Sequence, residues 1–220
     1  MELTRYHFRH AIGAFFEMAT PDARRILPQH LQPLEVQHSR SILAISAFQF
    51  TESIVGPYDE VVLSVIVPPM IEPGRPFPSA AFYPFAVGVT TAAAREHAIE
   101  RWHLPHYMKN LEVEFTESDT ELIVKVRDEG RPVLDVTITN FRPEPTQLLF
   151  HCFMMEGDRC AKVNVTMEGA HSEHEEGAGS LVLHEHPLTE RLTLDEVEGY
   201  PFREQWFHGG VQTFEEVERI

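Results

Sequence analysis

Lysine and cysteine are both scarce in this 220-residue chain: three lysines and two cysteines. The two cysteines, Cys152 and Cys160, fit neither a Cys-x-x-Cys redox pair nor a zinc knuckle. They read as two reduced thiols flanking a turn at Gly157-Asp158, with a cross-strand disulfide open to them only in an oxidising compartment. Basic side chains are few, 18 against 34 acidic ones, and the formal charge of −16 argues against nucleic acid and anionic membrane as partners. No apolar run approaches the roughly 18 residues of a membrane span. The segment Met1 to His7 lacks the apolar core of a signal peptide, so a cytoplasmic protein is expected. Neither a glycine-rich phosphate loop nor a nucleophile elbow is present. Nor is there a low-complexity linker or a repeat, so residues 1–220 read as one domain.

What the chain does contain is short β-rich runs bounded by turn residues. Ser41–Phe50 and Val61–Val67 read as buried strands, delimited by Gly56-Pro57 and Pro68-Pro69. In the second half, Leu111–Phe115, Glu121–Val126, Pro132–Thr139, Leu148–Met154, Ala161–Met167 and Ser180–Leu183 form a β meander separated by acidic, glycine-containing turns. Two helices are expected. One spans 21–27, with Thr20 as N-cap and Pro21 in the first helical position. The other spans 91–102, capped by Thr90 or Thr91, with Ala94, Ala98, Ile99 and Trp102 on one face, and it must end before Pro105. Residues 68–84 hold six of the sixteen prolines, with Phe77, Phe82 and Tyr83, and read as a long loop. The pattern specifies a mainly β fold, a sandwich or barrel with helices at its margins.

Four segments carry a resemblance. Trp102-His103-Leu104-Pro105-His106-Tyr107 is similar to an aromatic-Gly-aromatic-Pro run, and Gly56-Pro57-Tyr58-Asp59-Glu60 to a Gly-Pro-Tyr-x-Glu strand entry. Thr20-Pro21-Asp22-Ala23 through Leu27-Pro28 is similar to a first helix. Gly179–Leu183, His186-Pro187-Leu188 and Leu192–Val197 are similar to a last strand and closing turn. Taken in chain order, these segments resemble the acetoacetate decarboxylases, and the resemblance implies an antiparallel, cone-shaped β-barrel with a ligand cavity inside. That family places two adjacent lysines directly after the proline. The first forms an imine with a β-keto acid and the second lowers its pKa; acetoacetate decarboxylase is itself the standard example of such activation. Here those positions hold His106 and Tyr107, and the arginine two residues before Thr-Pro is Met18.

The resemblance implies that Glu60 points into the cavity, where burial would raise its pKa and suit it to proton transfer. His106 is the second catalytic candidate. A shared pocket for the Glu60 and His106 side chains is expected. Tyr107, Trp102, Phe82 and Tyr83 are the candidate ligand-binding residues. Relocation of the amine to Lys109, or to Lys162 on a strand face with Asn164 and Thr166, would keep lyase chemistry alive. Three histidine pairs have ligand-like spacing, His103 with His106, His171 with His174 and His184 with His186, but none has an obvious third ligand. No metal and no cofactor is expected. The expected partners are a small keto-acid-like or carbonyl ligand and, by the resemblance, further copies of the chain; a ligand-free oligomeric scaffold is the remaining alternative.

Overall fold

Alternation of apolar and polar side chains builds the sheets, and it is visible from the first strand of the computed structural model, which describes residues 3–220. Along β1 (Thr4–Ala19), Tyr6 and Phe8 are buried while Arg5, His7 and Arg9 are exposed. From His10 to Phe16 every residue is buried, because the strand is covered on both faces. α1 (Thr20–Ile26) follows. Pro21 sits in its first turn as expected, but Thr20 is already helical and hydrogen-bonds Ser41 Oγ at 2.9 Å through its hydroxyl.

β2 (Glu35–Gln37), β3 (Arg40–Glu52), β4 (Tyr58–Ile66) and β5 (Ala80–Val89) then pair in succession. After α2 (Ala92–Trp102), the hairpins of β6 (Glu112–Glu117), β7 (Glu121–Asp128) and β8 (Arg131–Thr139) form a second sheet with β11 (Ser180–Leu183). β9 (Glu144–Glu156), β10 (Arg159–His174) and β12 (Arg203–Phe214) return to the first sheet, and β13 (Glu218–Arg219) pairs with β10.

Pairing of β1 with both β3 and β12 closes a 7-strand barrel. All its pairs are antiparallel except β5 with β9. A parallel pair needs a long crossover, and α2 with the β6–β8 hairpins supplies it. The barrel is therefore mixed rather than wholly antiparallel.

Two large apolar cores result, beside a small cluster of Phe15, Ile42, Ala44 and Ile66. One lies inside the barrel, where Phe8, Phe48, Val62, Val87 and Phe207 meet Ala94, Ala98 and Trp102 of α2, so that α2 plugs one end. The other lies between the outer barrel wall and the second sheet, joining Phe16, Leu43, Leu63 and Trp206 to Leu122, Val124 and Val136. Thr91 caps α2 by accepting the Ala94 amide at 3.2 Å, a contact worth about 1 kcal/mol. Gly88 leaves room for Leu111 beside β5, since a Cβ there would force the Leu111 side chain to shift.

β1, β12 and the length of β5 go beyond the sequence reading. The expected loop 68–84 ends at 79, and Phe82 to Phe85 lie within β5. Pro84 is tolerated because it sits at a register shift opposite Ser64, past the point where β9 stops pairing. Cys152 and Cys160 are both free; the register sets them opposite Val163 and Met155, so they do not face each other. No helix among the described residues is long and apolar enough to cross a membrane.

Candidate ligand cavity

Residues facing inward from β1, β3, β4, β5, β9, β10 and β12 enclose a cavity of about 100 Å3. Phe48, Val62, Phe82, Phe150 and Phe207 make it apolar, and Ser46, Ser64, Gln205 and Gln212 give it neutral hydrogen-bonding groups. Glu60 is its acid. β4 holds Glu60 opposite Phe48 on one side and Val89 on the other, and directly opposed residues share a face, so the carboxyl points inward among apolar side chains. Burial pushes its pKa up to about 8, with no charged or hydrogen-bonding neighbour to offset the effect. At neutral pH Glu60 is a buried carboxylic acid, a hydrogen-bond donor. Its charge, when present, acts on Tyr6, Tyr58 and Cys152, whose pKa values burial already raises, to about 12 for Tyr6 and Cys152.

Glu60 also borders a second, smaller void of about 20 Å3 toward α2, shared with Tyr6, Tyr58, His97 and Trp102. Trp102 Nε1 donates to Tyr6 Oη at 2.9 Å, and Tyr6 Oη lies 2.8 Å from His97 Nε2. Trp102 thus reaches the Glu60 side of the barrel through this void.

The segment after α2 extends the barrel wall. The Val87 amide donates to Pro105 O and the Tyr107 amide to Val87 O, forming a parallel bridge between Val87 and His106. Bridged residues share a face, so His106 follows inward-facing Val87 and lies on the same side as Leu104, a cavity residue. Its two ring nitrogens are buried without partners, and burial, with Arg95 nearby, lowers its pKa to about 4. The cavity lining nevertheless includes Glu60 and Leu104 and omits His106, which sits nearer Arg95.

Other candidates fall outside. Tyr107 alternates to the outer face, where its hydroxyl donates to Asp128 Oδ2 at 2.8 Å and its ring meets His186 edge-on. Phe82 lines the cavity, but Tyr83, the next residue of the same strand, faces the outer core, as adjacent strand residues must. Lys109 is exposed and pairs with Glu129 at 3.2 Å. Lys162 is only 1% exposed, yet it lies out of phase with cavity-lining Val165 and forms ion pairs with Glu72 and, at 3.3 Å, Glu218. The strand face it shares with Asn164 is therefore the outer one. No lysine or arginine lines the cavity among the described residues.

Sequence reasoning missed the polar lining from β3 and β12, namely Ser46, Gln205 and Gln212. Gln205 and Gln212 lie on a strand whose Gly209-Gly210 pair reads locally as a turn. Of the spaced histidine pairs, His103 lies 3.8 Å from Glu156, and His106 has no partner. His174 contacts Thr139 O, and His186 contacts Asp128. Ligand-like grouping occurs instead at His10, Glu117 and His208, on the outside of the barrel.

Neither a protein-family model nor a curated protein matches the chain. Solved structures do. An acetoacetate decarboxylase superposes with a TM-score of 0.64 at 14% identity, covering 100% of this chain and 90% of that one. The acetoacetate decarboxylase of Legionella pneumophila gives 0.64 at 16% identity, over 100% and 87%. The enduracididine biosynthesis enzyme MppR with HEPES buffer bound gives 0.68 at 13% identity, over 100% and 88%. At these identities the likeness speaks for the fold, and the chain has the acetoacetate decarboxylase-like fold.

Proposed function

We propose that the chain is a single-domain barrel protein that binds a small, uncharged carbonyl compound in its interior, with Glu60 donating a hydrogen bond or a proton to the carbonyl oxygen. One observation carries this reading: a carboxyl buried in an apolar cavity without lysine or arginine, where burial favours its protonated form. A keto acid's carboxylate would enter with no cation to compensate it, at a cost that burial makes prohibitive. A neutral ketone or aldehyde meets no such cost. The cavity's 100 Å3, against the roughly 10–15 Å3 of such space that one water needs, suits a small organic ligand. The resemblance puts the imine-forming amine at the position of His106, whose imidazole cannot form that electron sink, and the amines of Lys109 and Lys162 lie outside the cavity. On this reading lysine-imine decarboxylation has been lost, and what remains is binding or proton transfer beside a carbonyl.

Borohydride trapping with acetoacetate and with butanone, read by intact mass, tests the loss of the imine; a stoichiometric adduct refutes it. Saturation-transfer NMR tests the ligand class. Butanone is expected to show transfer that Glu60→Gln weakens, and acetoacetate to show none. Transfer to acetoacetate alone overturns the reading.

A second property, self-association, rests on a separate observation. The proline-rich loop exposes Ile71 and Phe77 close together in sequence, at 73% and 68%. We place a contact between copies there. Light scattering after chromatography should show an oligomer that Ile71→Ser with Phe77→Ser converts to monomer.

A further inference from the structure

We propose that His10, His208 and Glu117 form a binding site for a divalent first-row transition-metal ion of the zinc class, on the outer wall of the barrel and independent of the interior cavity. His10 and His208 are directly opposed in the β1–β12 register, so their rings leave the same face, with centroids 5.0 Å apart. Glu117, at the end of β6, reaches over from the second sheet. Its two carboxylate oxygens lie 3.5 Å from His10 Nε2 and 3.6 Å from His208 Nε2, and the three ligand atoms all lie within 4.8 Å of one another. These gaps exceed the roughly 2.7–3.2 Å of a good N–H···O bond. They match the separation of about 3.4 Å between ligands on a tetrahedral shell with bonds near 2.1 Å.

The donor set selects the ion. Two imidazoles and one carboxylate suit zinc, cobalt, nickel or copper, and two nitrogen ligands disfavour magnesium and calcium. His10 is buried and stacked on Phe115, with ring planes 14° apart, which fixes its direction. His208 and Glu117 are part-exposed, which leaves the outward coordination position to water. Two groups already hold these ligands. Arg9, largely exposed, lies 3.3 Å from Glu117 and can turn to solvent at little cost. Trp206 Nε1 donates to His10 Nδ1 at 3.3 Å, which places the His10 proton on Nε2 before binding. When a metal takes Nε2, that proton moves to Nδ1 and the Trp206 bond breaks. The exchange limits affinity, and it makes Trp206 a reporter. The bound ion would fasten β6, the edge of the second sheet, to β1 and β12.

The test uses the tag-free full-length protein, stripped with chelator and titrated with Zn2+ by calorimetry and with Co2+ by visible absorption. One equivalent of each is expected, with the intense d–d bands of four-coordinate Co2+ and a change in indole fluorescence. Mg2+ should do nothing. His208→Ala and Glu117→Gln, both at part-exposed positions and so expected to fold, should each weaken Zn2+ binding by roughly tenfold or more. Binding well below one equivalent, or unchanged affinity in both variants, overturns the proposal.

Discussion

Trp102 Nε1 and Tyr6 Oη, 2.9 Å apart, tie the plug helix to the first strand of the barrel. Tyr6 Oη in turn lies 2.8 Å from His97 on the same helix, so one hydroxyl serves two residues of α2. Removing it by Tyr6→Phe leaves the buried indole N–H unpaired, at a cost of about 1–3 kcal/mol. For a chain of this size that corresponds to a fall in Tm of roughly 3–9 °C, measurable by calorimetry. An unchanged Tm would mean that α2 does not depend on this contact.

Glu60 makes stability depend on pH in a direction opposite to the usual carboxylate. Its folded pKa of about 8 lies above the unfolded value of 4.5. Below pH 4.5 both states are protonated and Glu60 contributes no slope. Between 4.5 and 8 only the folded state holds the proton, so stability falls as pH rises, by about 1.4 kcal/mol per unit at most. Above 8 the loss is complete. Urea unfolding at pH 5, 6, 7 and 8 should therefore show Glu60→Gln gaining on the parent protein as pH rises. A constant difference across that range would place the carboxyl in water.

The two thiols should be inert. Cys152 has its pKa pushed to about 12 by burial and by Glu60, and burial also raises that of Cys160. The nucleophile is the thiolate. An aromatic disulfide reagent at pH 8 is expected to label neither in the native protein and both in denaturant. Rapid native labelling of one thiol would show an open route to the barrel wall.

Lys162 offers a contrast between stability and binding. Lys162→Met removes a buried cation whose partners, Glu72 and Glu218, are part-exposed and can rehydrate, so a loss of about 1–3 kcal/mol is expected. Lys109→Ala, at an exposed pair, should stay within about 0.5 kcal/mol. Neither should alter butanone binding. If Lys162→Met abolishes binding while the protein stays folded, the outer-face assignment fails.

How much of this was legible in the sequence follows from how far each signal is local. β3, β4, β7 and β8 announce themselves by apolar runs between turn residues, and α2 by its Thr91 cap and its alanines. β1 carries a clear period of two only over its first residues, before double coverage turns it continuously apolar, and β12 is masked by Gly209-Gly210. Pro84 hid most of β5, because a proline inside a strand is readable only once the bulge beside it is known. That error also assigned Phe82 and Tyr83 to one cavity, which a strand's alternation forbids. An inward Glu60 was expected from the resemblance of its segment rather than from any period in the sequence. His10, Glu117 and His208 were not legible, because strand pairing between distant segments brings them together.

The sharpest test of the proposed site is to place an amine at position 106. His106 lies on the inward side of the segment that bridges β5 at Val87, with two unpartnered ring nitrogens, in surroundings that lower its pKa to about 4 by burial and by Arg95. The same two influences act on any cation placed there, so a lysine amine would be held partly neutral and nucleophilic at pH 7–8. Resemblance to the acetoacetate decarboxylases assigns this position to the imine former. His106→Lys is therefore expected to give a borohydride-trapped adduct of one butanone per chain, with the modified peptide containing position 106, where the parent protein gives none. The yield should rise with pH through the lowered pKa, and blocking the cavity by Ser64→Phe should abolish it. A variant that stays folded and traps nothing would show that position 106 does not open onto the cavity Glu60 lines, and that the two residues do not form one site.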